Sequence, residues 1–371
     1  MATKQLGFKA PPSLALAEGA TTPNPGITGV SVWSSTLAKP VYWTGSLWTA
    51  GGATSPGGNT KEVQYNNAGA FAGTTNVEID GGDLCLIVAT PSTPPASNVK
   101  LFAKSLAGRI LPASVGPSGL DAALQPSTWR QKIARWNPPG NATTVPAVDG
   151  FNAPTALGTA TARNVATTNL MARTRRLGYV SAATAAGFAG HFSAVAQFTT
   201  GDGAGLGGFF YSCRFAASDV ATVAGVREFV GLTSSVATPT NVEANTLTNC
   251  IGVAQLSTDT TQMYLVYGGS AAQAAIALGT NFPPMTAAGA TNGVLYDLTL
   301  FAAPSANDVI GYRLERVGTT FVAEGTLTRG TPGLQTPLNT TLLAHRAWRC
   351  NNATALACGL DIISVYTETD Y

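Results

Sequence analysis

Apolar and polar positions alternate through much of the second half of the chain. Val294, Tyr296, Leu298 and Leu300 fall together at period two, as do Phe192, Ala194, Ala196 and Phe198 within 191–198. Ile310, Tyr312 and Leu314 alternate with Gly311, Arg313 and Glu315, and Phe321, Ala323, Gly325 and Leu327 with Val322, Glu324 and Thr326. Period two turns successive side chains to opposite faces, so each run predicts a strand with one face buried. Further strand-like runs are 208–215, 227–232, 250–256, 263–267, 341–350 and 360–367. About ten strands at this spacing, broken by turn residues, predict an antiparallel β-sandwich of jelly-roll type over 151–371. No short repeat recurs, which excludes a β-helix spike built from stacked coils.

The first 150 residues have a different pattern. Within 1–90, Val41–Trp48 reads as a hairpin turning at Gly45-Ser46, and Val63–Tyr65 leads through Asn66-Asn-Ala-Gly69 to Ala70-Phe71. Val77-Glu-Ile79, the turn Asp80-Gly-Gly82 and Leu84–Ala89 complete a small N-terminal β region. Such pieces bury little alone and call for a partner surface. Residues 91–150 open on Pro91, Pro94 and Pro95, and carry helical potential at 98–110, 121–124 and 127–135, with Ser127 as an N-cap. This segment is expected to be a short helical connector. The predicted architecture is all-β apart from that connector.

Composition narrows the function classes. The 371 residues are 45% hydrophobic but only 11% charged, where an average soluble protein has about 25% charged residues. Thr, Ser, Asn and Gln supply the polarity, and 41 Gly and 22 Pro the turns. A net charge of +2 gives no long-range field to steer nucleic acid or an anionic membrane. No stretch approaches the ~20 apolar residues of a membrane-spanning helix. Pro11 and Pro12 interrupt the only candidate leader core, so synthesis in the cytoplasm without a signal peptide is expected. Five scattered cysteines, Cys85, Cys213, Cys250, Cys350 and Cys358, suit reduced, part-buried thiols better than a disulfide scaffold. A Cys350–Cys358 bridge is the alternative.

Two stretches resemble a known group of proteins. Residues Lys100–Asp121, continuing through Ala122-Ala-Leu-Gln-Pro126 and Trp136–Pro146, are similar to the connector of tailed-bacteriophage tail-fibre proteins. Tyr296–Ala302, Ile310–Arg316, Thr341-Leu-Leu343 and Leu360–Thr369 extend the resemblance to the C-terminal region, and Val63–Phe71 is similar to a segment of phage fibres. The resemblance implies a virion location, a homotrimer, attachment to tail or capsid proteins through residues 1–90, and contact with a host surface glycan or protein. A purely structural head fibre, collar or decoration protein is the alternative. No catalytic, cofactor or metal residues follow from it.

Isolated chemical signals point the same way. Gly203–Gly208 matches GxGxxG, but the phosphate-binding form needs a strand before it and a helix after it, whereas Phe209-Phe-Tyr211 reads as a strand. His191 and His345 lie far apart with no GxSxG nucleophile elbow, and are expected to pack or to sit at the surface. Paired carboxylates of a glycosidase would have to come from long-range combinations of Asp202, Asp219, Glu228, Asp297, Glu315, Glu324 and Asp361, or from Glu368 and Asp370. Arg173, Arg175 and Arg176, and the looser set Lys104, Arg109, Arg130, Lys132 and Arg135 with Trp129 and Trp136, suit docking to an acidic virion neighbour or intersubunit pairing better than nucleic acid. Trp33, Trp43 and Trp48 could stack on sugars or fill an anchoring interface, and the interface is preferred. Receptor contact is expected in loops 201–208, 234–249 and 268–290.

Overall fold

The computed structural model describes residues 31–36, 39–44, 46, 48–50, 61–67, 70–90, 94, 98–115, 121–123, 132–147, 153–285, 293–304, 306, 309–328, 330–331 and 333–369. The chain forms two compact units, Met1–Ala89 and Thr90–Tyr371.

The first unit carries two three-stranded antiparallel sheets. One joins β1 (Ser31–Ser34), β2 (Lys39–Trp43) and β3 (Trp48–Ala50), the other β4 (Glu62–Asn67), β5 (Ala70–Asp80) and β6 (Asp83–Leu86). The predicted hairpin around Gly45-Ser46 is the β2–β3 pair, with Trp43 opposite Trp48. In the second sheet Val77 faces Leu86 and Ile79 faces Leu84. These four share one face and leave Glu78, Asp80, Asp83 and Cys85 on the other, with Ile79 and Leu84 largely exposed.

The second unit holds β7 (Lys100–Leu106), β8 (Arg109–Val115), β9 (Asp121–Ala123), β10 (Lys132–Trp136), β11 (Thr155–Leu157), β12 (Thr159–Arg163), β13 (Arg176–Val180) and β14 (Phe188–Phe192). It continues with β15 (Phe209–Ala217), β16 (Arg227–Thr233), β17 (Cys250–Gln255), β18 (Tyr264–Gly268), β19 (Ile276–Ala277), β20 (Tyr296–Ala302), β21 (Val309–Arg316), β22 (Val322–Thr328), β23 (Ala344–Cys350) and β24 (Gly359–Thr369). Sheet I has the order β12-β13-β24-β15-β20-β21-β22, with β10 also paired to β24. Sheet II has the order β11-β14-β23-β16-β17-β18-β19. Every pairing is antiparallel, and the two sheets form a sandwich.

The period-two pattern builds that sandwich. Tyr211, Cys213 and Phe215 of β15, Tyr296, Leu298 and Leu300 of β20, and Ile310 and Leu314 of β21 point inward from sheet I. Val230, Leu232, Ile251, Val253, Leu265 and Ala347 meet them from sheet II. Burying each large side chain contributes about 1.5–3 kcal/mol. Parts of both outer faces are covered as well. On the outer side of sheet II, Phe229, Trp348 and Cys250 pack beneath Ala244 and Leu247 of the 234–249 segment. On the outer side of sheet I, Met171 packs on Ala216, Leu295 and Ile363. Ile363 is the extra residue of a β-bulge, since Arg214 pairs Ser364 and Phe215 pairs Ile362. The bulge keeps Ile362 and Val365 both pointing inward.

The helical connector is not found among the described residues. Lys100–Leu106 and Arg109–Val115 form a β-hairpin instead, Asp121–Ala123 joins it, and Lys132–Trp136 adds to the edge of β24. The rest of the 127–135 candidate lies outside the described residues. Tertiary contacts override weak helix propensity here. Leu111, Ala113 and Val115 alternate with Ile110, Pro112 and Ser114 at strand period, and Arg109 is drawn into a buried ion pair with Glu368. The hairpin turn also rests directly on β21, where a Cβ at Gly311 would lie 1.9 Å from the Ala107 carbonyl oxygen.

Buried charge ties the sheets together. Arg349 of β23 is bidentate to Asp219 at 2.8 and 2.6 Å, and its Nη1 donates to Glu228 at 2.6 Å and to Gln255 at 2.7 Å. The main-chain NH of Gly359 donates to the same Asp219 at 2.8 Å. Replacing Arg349 by Ala strands two buried carboxylates and is expected to cost about 3–5 kcal/mol. Arg214→Ala, at a half-exposed ion pair, is expected to cost no more than about 1 kcal/mol. Urea denaturation midpoints measure both, and equal effects would contradict this account.

Candidate functional site

The structure brings the two histidines together. Strands β14 and β23 are neighbours in sheet II, and His191 and His345 both point into the sandwich. Their Nε2 atoms are 2.9 Å apart. The Tyr179 hydroxyl lies 2.9 Å from His191 Nδ1, and the Tyr211 hydroxyl 2.9 Å from His345 Nδ1. Trp136 stands edge-on to His191 at 4.7 Å. Burial lowers both imidazole pKa values, His345 to about 3 and His191 well below normal with the help of His345. Both rings are therefore neutral, and one ring donates the proton between the two Nε2 atoms. That ring accepts from its tyrosine at Nδ1, while the other ring donates Nδ1–H to its own. The four side chains thus form a linear relay, Tyr179–His191–His345–Tyr211, in which every ring nitrogen has a partner.

Beside this relay is a cavity of about 20 Å³ lined by Trp136, Ser193, Thr367 and both histidines, among others. It has room for about one water molecule. None of its lining residues is a carboxylate, so the histidines have no partner there to complete a hydrolase triad. Sequence could place each histidine on a strand but could not bring them together, because their contact depends on the order β14-β23.

The other candidates are also engaged within the chain. Asp202 fills the GxGxxG loop with its own carboxylate, Oδ1 accepting from the Ala204 and Leu206 amides at 2.7 and 2.9 Å. The loop leads into β15, as its sequence context implied. Of the arginine cluster, Arg176 is buried on Asp361 at 2.9 Å, together with Arg163 at 3.0 Å, while Arg173 donates to the Thr167 carbonyl. A Cβ at Gly178 would lie 2.4 Å from Arg163 Nε, so only glycine leaves room for that pair. Trp43 and Trp48 are buried edge to face at 5.6 Å and are not available to stack on a sugar. The Trp33 side chain, Trp129, Arg130, the Lys132 side chain and Asp370 lie outside the described residues. Trp136 is buried and Arg135 exposed. All five cysteines are free thiols, and burial pushes those of Cys213, Cys250 and Cys358 up to about 12. The 234–249 segment packs on sheet II through Ala244 and Leu247, with Glu243 held by Arg227 at 2.8 Å and by the Ser257 hydroxyl, while 235–238 and 240–242 stay exposed.

The outer face of sheet I is partly exposed between the segments that pack on it. Two adjacent cross-strand rows of polar side chains lie there. One reads Ser364, Arg214, Asp297, Glu315, the other Arg135, Tyr366, Ser212, Thr299, Arg313, Glu324. Arg214 is bidentate to Asp297 at 2.6 and 2.5 Å, and Arg313 reaches Glu315 at 2.6 Å and Glu324 at 3.5 Å. Walls rise on both sides of the rows. On one side stands the β7–β8 turn, where the Ala107 amide donates to Glu324 at 3.1 Å and Arg109 lies 4.5 Å over the Phe210 ring. On the other stands the 164–175 segment, held by Met171. The result is a polar trough running across the strands. Alternation showed that Arg313, Glu315 and Glu324 face outward, but only strand order aligns them with Arg214, Asp297 and Arg135.

No family model matches the chain, and no curated protein does. Among solved structures, lectin II from Ulex europaeus is 12% identical over 65% of this chain and 100% of its own, with a TM-score of 0.41. The CBM2 module of the evolved Dit of Lactobacillus casei BL23 phage J-1 is 15% identical over 65% and 91%, with a TM-score of 0.35. A carbohydrate esterase from the Shiga toxin-encoding bacteriophage phi24B is 16% identical over 59% and 90%, with a TM-score of 0.33. Likeness at this level fixes neither ligand nor activity.

The histidine relay has a pH consequence. Unfolded, each imidazole takes up a proton below about pH 6.5, whereas folded it stays neutral well below that. The unfolded state therefore binds more protons, and stability falls as the pH drops from about 6.5 towards 4. The slope approaches about 1.4 kcal/mol per pH unit for each histidine. Urea midpoints across that window test this, and a flat profile would contradict neutral buried imidazoles.

Proposed function

We propose that this chain is a non-enzymatic structural protein of a tailed-phage virion, a trimeric tail fibre that helps the particle attach to its host. The polar trough on sheet I carries the reading. In a chain that is only 11% charged, it sets three cations and three anions on one open face, while the buried charges are paired inside. Such a face suits holding a ligand. The imidazoles, four of the five thiols and most buried carboxylates, which could react, are enclosed, and the imidazoles and carboxylates are engaged within the chain. The resemblance of 100–146 and 296–316 to phage fibre segments supports the virion setting.

In this reading the first unit fixes the fibre to the particle and the sandwich meets the host. The apolar face of Val77, Ile79, Leu84 and Leu86 in β5 and β6 has no cover among the described residues of its own sheet, and it suits contact with other copies or with a virion neighbour. Three linked copies would turn modest single-site affinity into firm attachment through effective concentration.

Two measurements test the reading. Purified full-length chain is expected to elute as a trimer, to bind cells of the host bacterium and to compete with phage adsorption. Immunogold labelling of particles is expected to mark the tail. Label on the head or collar with no cell binding would replace attachment by a purely structural role.

A further inference from the structure

The trough has a length, a charge balance and a chemistry that together specify its occupant. Its longer row crosses β10, β24, β15, β20, β21 and β22, five interstrand steps, or about 24 Å at ~4.8 Å per step. The two rows are two residues apart along each strand, about 7 Å. This is a site for an extended chain lying across the strands; a compact ligand would contact only part of it.

The floor selects the kind of chain. Arg135, Arg214 and Arg313 stand against Asp297, Glu315 and Glu324, so the formal charges cancel. A polyanion would meet three carboxylates and a polycation three guanidinium groups. Arg214, Glu315 and Glu324 keep about a third of their side-chain surface exposed, which leaves donors and acceptors for a ligand above. Ser212, Ser364 and the Tyr366 ring add hydroxyl and aromatic surface to the same floor. Alternating donors and acceptors, with an aromatic ring and no net charge, complement a ligand whose hydroxyls both donate and accept and whose ring faces are apolar.

We propose that the outer face of sheet I, between the β7–β8 turn and the 164–175 segment, binds a neutral oligosaccharide lengthwise. The inference rests on the attachment reading and names the ligand class and site for it. Arg214–Asp297 and Arg313–Glu315 present planar pairs to the sugar hydroxyls, and Tyr366 packs on a ring. Pre-pairing of the charges keeps these side chains in place before the ligand arrives, which lowers the ordering cost of binding.

The test uses the full chain, calorimetric titration with neutral hexose oligomers of increasing length, and matched oligomers containing uronic acid. At least one neutral series is expected to bind at about 1 mM or tighter and to gain affinity with length until the trough is filled. The Arg214→Ala/Asp297→Ala double variant is expected to weaken that binding at least tenfold while its thermal midpoint stays near wild type. Arg313→Gln serves as a second variant should the double one fail to fold. Absence of binding by every neutral oligomer, preference for the acidic ones, or binding that persists within twofold in both variants would overturn the proposal. Host-cell adsorption measured in parallel separates the two claims. Wild-type adsorption unchanged in the variants removes the trough but leaves attachment standing, whereas loss of adsorption by the wild-type chain itself removes attachment.

Discussion

Charge is scarce in this chain, and a charge taken out of water must meet its counter-ion or the fold fails. That constraint organises the sandwich. Arg349 gathers Asp219 from the β15–β16 connection and Glu228 from β16, and Asp219 in turn holds the start of β24 through Gly359. Arg163 and Arg176 converge on Asp361, pinning β12 and β13 to β24. Arg109 and Glu368 fasten the β7–β8 hairpin to the other end of the same strand. β24 is thus held by ionic contacts at both ends and shares its edge between β13 and β10.

The neutral polar relay obeys a related rule. Two imidazoles inside an apolar sandwich are tolerated because every ring nitrogen has a partner, and the partners are tyrosines whose rings also fill the core. Polar groups buried this way specify which strands meet, because a shifted register would leave a donor or acceptor without a partner. On the outer face of sheet I, by contrast, pairs such as Arg214–Asp297 retain contact with solvent.

The hairpin shows how local preference yields to context. Residues 98–110 have some helical potential, but Arg109 must reach Glu368 and the Ala107 carbonyl must approach Gly311 closely. Extended backbone achieves both, and in doing so it raises one wall of the trough. Function in this reading therefore depends on a segment that looked like a passive connector.

Sequence alone determined most of the long strands of the sandwich, because side-chain alternation is a local property and each inward face needs only apolar residues at every second position. The runs at 208–215, 227–232, 250–256, 294–300 and 310–315 could be read this way, and so could the outward direction of Arg313 and Glu315. The expected 191–198 strand instead ends at Phe192, and Ala194 is exposed. The short strands at 155–163 and 176–180 were not evident, since Thr, Ala and Gly give little contrast between faces. Only the tertiary structure decided which strands are neighbours. The His191–His345 contact, the Arg349 cluster and the alignment of Arg135, Arg214 and Arg313 all link residues far apart in sequence. Such links depend on strand order and register, which the periodicity of a single strand does not encode.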